Sequence, residues 1–192
     1  MGGDPANFYS SASSVGRIRE EIYYQRVFLY ILYKLGLTAL EIQAMNTKVY
    51  TKVVADLMHP GHVEFFRAAR ALGDSLTVNV VPDERVVLAK RHPIMTTQER
   101  CKMVAACRYV DEVTTDGPKM ITRSFMQKNG FHLYAFSASS PGELSGKLAD
   151  CVDLPDTMKA ILPYTSSIST TLLLARIRTR LAADYKNNGQ HG

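Results

Sequence analysis

Apolar positions in this chain follow two different rhythms. Between residues 17 and 35, Ile18, Ile22, Val27, Tyr30, Ile31 and Leu35 recur at near-helical spacing, and Gly36 supplies a C-terminal stop. Thr38, with Glu41 three positions on, forms a capping box that opens a second short helix to about Met45. Residues 17–46 therefore read as a helical hairpin ahead of the main domain. At Lys48 the pattern changes. Residues 49–56 and 76–81 are rich in β-branched side chains at strand length, and between them Val63, Phe66, Ala69 and Leu72 mark a helix. Strand, helix and strand in so short a span form a βαβ unit, which requires parallel pairing.

The alternation continues to the C-terminus. Thr96 and Glu99 form another capping box, predicting a helix to about Cys107. Residues 110–114 read as a strand, 119–129 as a helix closed by Gly130, and 132–137 as a strand. Ser140-Pro141 opens a further helix, Ile161-Leu162 is a last short strand, and residues 169–185 form a final helix. The fold class is α/β: a Rossmann-like, doubly wound parallel sheet with an N-terminal helical hairpin. Its site is expected at the carboxyl ends of the strands. Four regions follow: a Ser-, Ala- and Gly-rich tail at 1–16, the hairpin at 17–46, the α/β domain at 47–186 and a disordered tail at 187–192.

Composition narrows this picture little. A length of 192 residues, 46% apolar and 21% charged, suits one domain with an appendage. The net charge of +5 fits a site for small polyanions and nucleic acid equally well. Cys101, Cys107 and Cys151 are odd in number and form no CxxC pair, which disfavours disulfide scaffolds and zinc sites and favours a reducing compartment. The longest apolar stretch, residues 27–33, is far short of the ~20 residues of a membrane span. The first residues show no secretory signal. A soluble cytoplasmic protein is expected. The aromatic surface of Tyr23, Tyr24, Phe28, Tyr30 and Tyr33 predicts that the hairpin makes a homodimer or docks on another domain.

The sharpest chemical signal is His59-Pro60-Gly61-His62, between the first core strand and its helix. Dinucleotide-binding folds place a glycine-rich phosphate loop there. Here two imidazoles flank a glycine at the positive end of a helix dipole. Gly61 has no Cβ to hold phosphates away, and His59 and His62 can donate hydrogen bonds as charge builds on phosphate oxygens. A metal pair, or two surface histidines in a turn, would use the same pattern.

Further motifs follow at set distances. They are Asp56 to His62, Ala71-Leu72-Gly73-Asp74, Lys90, Pro93-Ile94-Met95-Thr96, Glu99-Arg100, Arg108 to Val113 and Ile168-Ser169-Thr170-Thr171. In this order, over residues 48–182, they resemble the cytidylyltransferase family, whose members act on glycerol 3-phosphate, phosphocholine and phosphoethanolamine. The resemblance implies transfer of CMP from CTP to a small phosphate monoester or phosphonate, releasing pyrophosphate, with Mg2+ on the triphosphate and no metal held by protein ligands alone. It makes His59, His62 and Lys90 catalytic. Val54, Ala55, Asp56, Gly61 and His62 would contact the nucleotide from the first loop. Ser137, Tyr164, Ile168, Ser169, Thr170 and Thr171 would do so from the far side. Lys90, Arg91, Arg108 and Asp111 would organise the acceptor. No nucleic-acid partner and no membrane span are implied.

The sequence also departs from the family. Val53-Val54-Ala55 stands where a glycine and a hydroxyl or aromatic residue usually precede the aspartate. Ser137-Ala138-Ser139 replaces a polar Gly-Asp-like pair that helps read the base, and Tyr164 stands at a usual arginine. Arg91 or Arg123 is a candidate replacement for that cation. These departures keep two alternatives open: a nucleotide-binding regulatory or assembly domain without turnover, and an adenylyltransferase of the same superfamily. Lys119 to Ser124 faintly resembles a synthetase lysine signature, but the chain is short for that class.

Overall fold

β-Branched and aromatic side chains at strand length make β1 (Lys48–Val53) and β2 (Ser75–Val80), joined by α1 (Pro60–Arg70). The computed structural model describes Lys34 and residues 46–88, 91–151 and 153–188. The chain divides into residues 1–46 and 47–192. The expected tail at 1–16, nearly all of the hairpin at 17–46, and Lys90 lie outside the described residues.

In the second unit, α2 (Asp83–Val86) and α3 (Thr97–Ala105) lead to β3 (Glu112–Thr114), then α4 (Arg123–Lys128) and β4 (Leu133–Phe136). Next come α5 (Pro141–Ala149), a 3-10 turn at Asp156–Met158, β5 (Lys159–Ile161) and α6 (Thr170–Asn188). The five strands lie in the order β3-β2-β1-β4-β5, all parallel. This is the expected doubly wound α/β architecture. Strand order reverses between β1 and β4, and at such a switch point the two connections leave in opposite directions and open a crevice.

Both faces of the central strands are buried, as a parallel sheet covered by helices requires. Val49, Tyr50 and Thr51 of β1 and Leu76, Val78 and Val80 of β2 are all buried. Thr51 is polar, and its hydroxyl donates to the Ala135 carbonyl of β4 at 2.8 Å. One face carries a cluster of Tyr50, Ile121, Met126, Tyr134, Phe136, Cys151 and Leu154. All three cysteines are free thiols.

The boundaries differ from the sequence reading where local capping wins. α1 begins at Pro60, not near Val63, so the His-Pro-Gly-His motif is itself the first helical turn. α4 begins at Arg123 because the Thr122 hydroxyl accepts the Phe125 amide at 3.1 Å and caps the helix there. Gly130, at φ 68°, follows its C-cap. β3 starts two residues later than expected, at Glu112. α6 extends to Asn188, so residues 187 and 188 are helical rather than tail. The four-residue α2 has no counterpart in the sequence reading.

One buried cation holds the carboxyl edge of the sheet. Arg100, fully buried on α3, uses all five of its N–H donors. Its Nε donates to Met95 O at 3.2 Å, one terminal nitrogen to Val54 O at 2.5 Å and Val81 O at 2.8 Å, and the other to Asp83 Oδ1 at 2.5 Å and Thr97 Oγ1 at 3.0 Å. The ends of β1 and β2, α2, α3 and the 91–95 loop therefore meet on a single guanidinium. Arg100→Leu should lose about 3–5 kcal/mol of stability, since it strands three carbonyls and a carboxylate. Arg100→Lys should fall between, keeping charge without the planar fork. Urea denaturation measures both, and a loss under about 1 kcal/mol for Arg100→Leu would contradict the clamp.

Candidate active site

A cavity of about 800 Å³ opens at the crevice, within the usual range of ligand sites. Its first wall is the start of α1. His59 is the N-cap residue in extended conformation, and Pro60 fixes the first helical position. His62 Nδ1 accepts the His59 backbone N–H at 3.3 Å, which leaves the His62 proton on Nε2. The two rings lie 4.0 Å apart between centroids. His59 Nδ1 is buried with no hydrogen-bond partner. A Cβ on Gly61 would approach His59 Cε1 to 3.0 Å and Nδ1 to 3.1 Å, so glycine is what lets the imidazole fold over the helix start.

Burial pushes the His62 pKa down to about 4; His59 adds to this and Asp56 opposes it. Burial lowers His59 as well. Both are neutral donors near neutral pH, and a phosphate placed against them would draw their pKa values back up.

The second wall is the 91–95 loop, held by Asp56. This buried carboxylate accepts the Ile94 amide at 3.0 Å, the Met95 amide at 3.0 Å and the Arg91 guanidinium at 3.0 Å. Burial opposes its ionisation, but those donors outweigh it and keep the pKa below the ordinary carboxylate value. Asp56 lines the cavity, yet its carboxylate is committed to the loop. Where a nucleotide contact was expected, the structure shows this side chain positioning the loop. Val54 and Ala55 also line the cavity, with the Val54 carbonyl taken by Arg100.

The third wall is the start of α6. Ile168, Ser169, Thr170 and Thr171 line the cavity, as do Ser137 after β4 and Tyr164 after β5. Ser169 Oγ accepts the Leu172 amide at 3.2 Å, leaving its proton free for a phosphate oxygen. The Thr170 hydroxyl donates instead to the Asp56 carbonyl at 2.8 Å. Of the three hydroxyls expected to face phosphates, that of Thr170 has its proton on the first loop, which it ties to α6.

Two expected acceptor residues lie elsewhere. Asp111 precedes β3 at the amino edge of the sheet, where it accepts the Leu76 amide at 2.7 Å and pairs with Arg70 at 2.8 Å. Arg108 is exposed in the turn after α3 and does not line the cavity. Both belong to the end of the fold opposite the crevice. Arg123 does not line the cavity either, whereas Arg91 does.

Several lining residues were not found by sequence reasoning. Lys52 on β1 donates to Lys119 O at 2.5 Å, and Arg85 on α2 donates to the Gly117 carbonyl. Glu143, Lys147 and Asp150 line the cavity from α5 and its C-cap. Lys52 sits inside a strand with no motif around it. Only the sheet order and the cavity reveal its place.

Residues 54–174 match the family described as cytidylyltransferase-like, and the chain belongs to that family of nucleotidyltransferases. It is 47% identical over 81 residues to an ethanolamine-phosphate cytidylyltransferase of Arabidopsis thaliana, covering 42% of this chain and 19% of that protein. It is 34% identical over 135 residues to one from Dictyostelium discoideum, covering 68% and 36%. The chain thus spans well under half the length of these two relatives. An FAD synthase of Pyrococcus horikoshii is 34% identical over 109 residues, covering 56% of this chain and 69% of that protein. A lipopolysaccharide core biosynthesis protein from Thermoplasma volcanium has a similar structure, with TM-score 0.50 and 18% identity over 62% of this chain and 98% of that one. This similarity concerns the fold.

The histidine pair makes stability depend on pH. Folded His62 stays neutral down to about pH 4, whereas unfolded it protonates near 6.5. The unfolded state binds more protons in that window, so stability is present above pH 6.5 and lost as pH falls to about 4. The expected loss is about 3 kcal/mol, with His59 adding in the same direction. His62→Asn, which keeps an acceptor for the His59 amide, should remove most of it. Urea titrations across the window check this; equal slopes in wild type and variant would refute it.

Proposed function

We propose that this chain transfers CMP from CTP to a small phosphate monoester. An acceptor phosphate oxygen attacks the α-phosphorus of CTP, the bond from that phosphorus to the β-phosphate's bridging oxygen breaks, and pyrophosphate leaves. The attacking oxygen is already ionised near neutral pH, so positioning and charge stabilisation matter more than a general base. The observation that carries this reading is the meeting, in one cavity at the switch point, of the His59/His62 pair with the helix start at Ser169–Thr171. His62 Nε2–H and His59 would donate to the α-phosphate as it becomes pentacoordinate, and the α6 start would hold the outer phosphates.

Among the described residues, no group of three His, Cys, Asp or Glu side chains could hold a metal ion. Asp56, which lines the cavity, is committed to Arg91 and two amides. A magnesium ion fits here as part of the metal–triphosphate substrate, where it would neutralise phosphate charge. A phosphonate acceptor would present the same attacking oxyanion. The FAD synthase relative, 69% of whose length the chain covers, supports adenylyl transfer as a second reading. Among the described residues no helix is long and apolar enough to cross a membrane.

Pyrophosphate release with CTP and ATP across a panel of small phosphates and phosphonates tests the reaction. CTP should be preferred; a preference for ATP selects the adenylyl reading, and no release with any pair leaves a binding domain. His59→Ala and His62→Ala should each lower kcat by about 100-fold or more with the fold retained.

Tyr164 offers one neutral donor where a cation would serve the triphosphate better. Arg91 cannot simply replace it, because its guanidinium is held by Asp56 at 3.0 Å and by His92 O at 2.8 Å. Tyr164→Arg should therefore tighten CTP binding by about 1–3 kcal/mol, additively with the loss from Arg91→Ala. Weaker binding in Tyr164→Arg, measured by calorimetry, would show that another cation already serves those phosphates.

A further inference from the structure

The cavity has more positive charge than its own carboxylates can answer. Its cations are Lys52, Arg85, Arg91 and Lys147, against Asp56, Glu143 and Asp150. The carboxylates are all engaged. Asp56 is taken by Arg91 and two amides. Glu143 accepts the Ser139 amide at 2.9 Å and the Ser139 hydroxyl at 2.6 Å, and pairs with Lys147 at 2.9 Å. These donors outweigh its burial and bring its pKa down to about 2. Asp150 faces Lys52 at 3.7 Å. Each of these carboxylates already faces a cation of the cavity wall.

The cations are less well served. Arg85 donates to the neutral Gly117 carbonyl, and among the described residues it has no carboxylate partner. Lys52, its side chain only 14% exposed, has the Lys119 carbonyl and the long contact to Asp150. Burial lowers the Lys52 pKa, Asp150 opposes that, and Arg85 adds to the lowering. The two cations therefore feel each other across the cavity wall, which is unfavourable unless an anion joins them.

They come from other elements than the groups proposed to hold the triphosphate. Lys52 follows Tyr50 by two positions and shares its face of β1, the face packed against Met126 of α4. It lies in register with Asn79 of β2, and Arg85 follows the end of β2. Tyr164 and the Ser169–Thr171 helix start follow β5, and Thr170 joins that start to the loop after β1 rather than to Lys52 or Arg85.

We propose that Lys52 and Arg85 form the acceptor-recognition subsite, and that it selects an acceptor bearing a carboxylate remote from the reacting phosphate over one ending in an ammonium. This rests on the transfer reading above and specifies its acceptor. A carboxylate would take two donors from Arg85 and one from Lys52. An ammonium would meet two cations, and carboxylates that already face cations.

O-phosphoserine and phosphoethanolamine share the ammonium and differ by a single carboxylate, so the pair isolates what the carboxylate gains. Each is titrated by calorimetry into the 192-residue chain held with a non-hydrolysable CTP analogue. O-phosphoserine should bind at least about tenfold more tightly, the worth of one charge-assisted hydrogen bond. Lys52→Gln and Arg85→Gln should each collapse that ratio while leaving affinity for the CTP analogue unchanged. Equal or tighter binding of phosphoethanolamine overturns the proposal. So does a ratio untouched by both variants, a loss of analogue affinity in either, or binding of neither probe. Pyrophosphate release is scored separately: selective binding without release sinks the transfer reading and leaves the subsite standing.

Discussion

A buried guanidinium sets the geometry on which the rest of this site depends. Arg100 is cut off from water, so each of its donors must find an acceptor or cost its full desolvation. It finds five, from both central strand ends, from Asp83 and Thr97, and from Met95 in the loop. Carbonyls at strand ends normally turn to solvent or to the next residue of a ladder. Here two of them turn inward to one cation, which fixes how far apart β1 and β2 splay at the carboxyl edge. The loop that follows β1 and the loop that precedes α3 are then referred to the same point.

On that frame the first loop carries strain. Ala55 and Leu57 both have left-handed backbone, at φ 57° and 47°, a conformation that costs a non-glycine residue about 1–3 kcal/mol. They flank Asp56, and the kink turns its carboxylate toward the Ile94 and Met95 amides while its carbonyl accepts the Thr170 hydroxyl. A single residue thereby joins the 91–95 loop to the start of α6 across the mouth of the cavity. The compensation is visible: three donors on the carboxylate and one on the carbonyl offset the strained dihedrals. Asp56 is thus a joint between two walls of the site.

How much of this could be read along the chain follows from which forces are local. The switch from helical to strand rhythm at Lys48, the capping box at Thr96 and the glycine after α4 are local, and the elements they mark are present. The His-Pro-Gly-His motif could be placed in a cavity because the βαβ pattern fixes which end of β1 it follows. Asp111 could not be placed from the sequence for the converse reason. It stands before a three-residue strand, and a spacing between motifs does not say at which edge of the sheet that residue lies. Lys52 was missed because a lysine in a strand looks like any solvent-facing position until the neighbours across the sheet are known. Arg100 stood inside a recognised motif, but its five partners span residues 54 to 97 and cannot be inferred from local spacing.

The electrostatics of the cavity divide along the same walls. At the start of α1 the donors are neutral imidazoles, kept so by burial and, at His62, by His59 as well. A neutral donor gains strength as negative charge builds on the oxygen it faces, so it favours a transition state over a resting triphosphate. Lys52 and Arg85 carry fixed charge of the opposite kind, suited to holding an anion that does not change during the reaction. Differential stabilisation belongs at the reacting phosphorus, and uniform binding belongs at the acceptor's remote end. On the proposed reading, the neutral phenol of Tyr164 stands on the uniform side of that division, at the triphosphate tail. A cation there would add holding without touching the donors that act on developing charge. Under that reading Tyr164 bears on affinity, and the chemistry rests with the histidines.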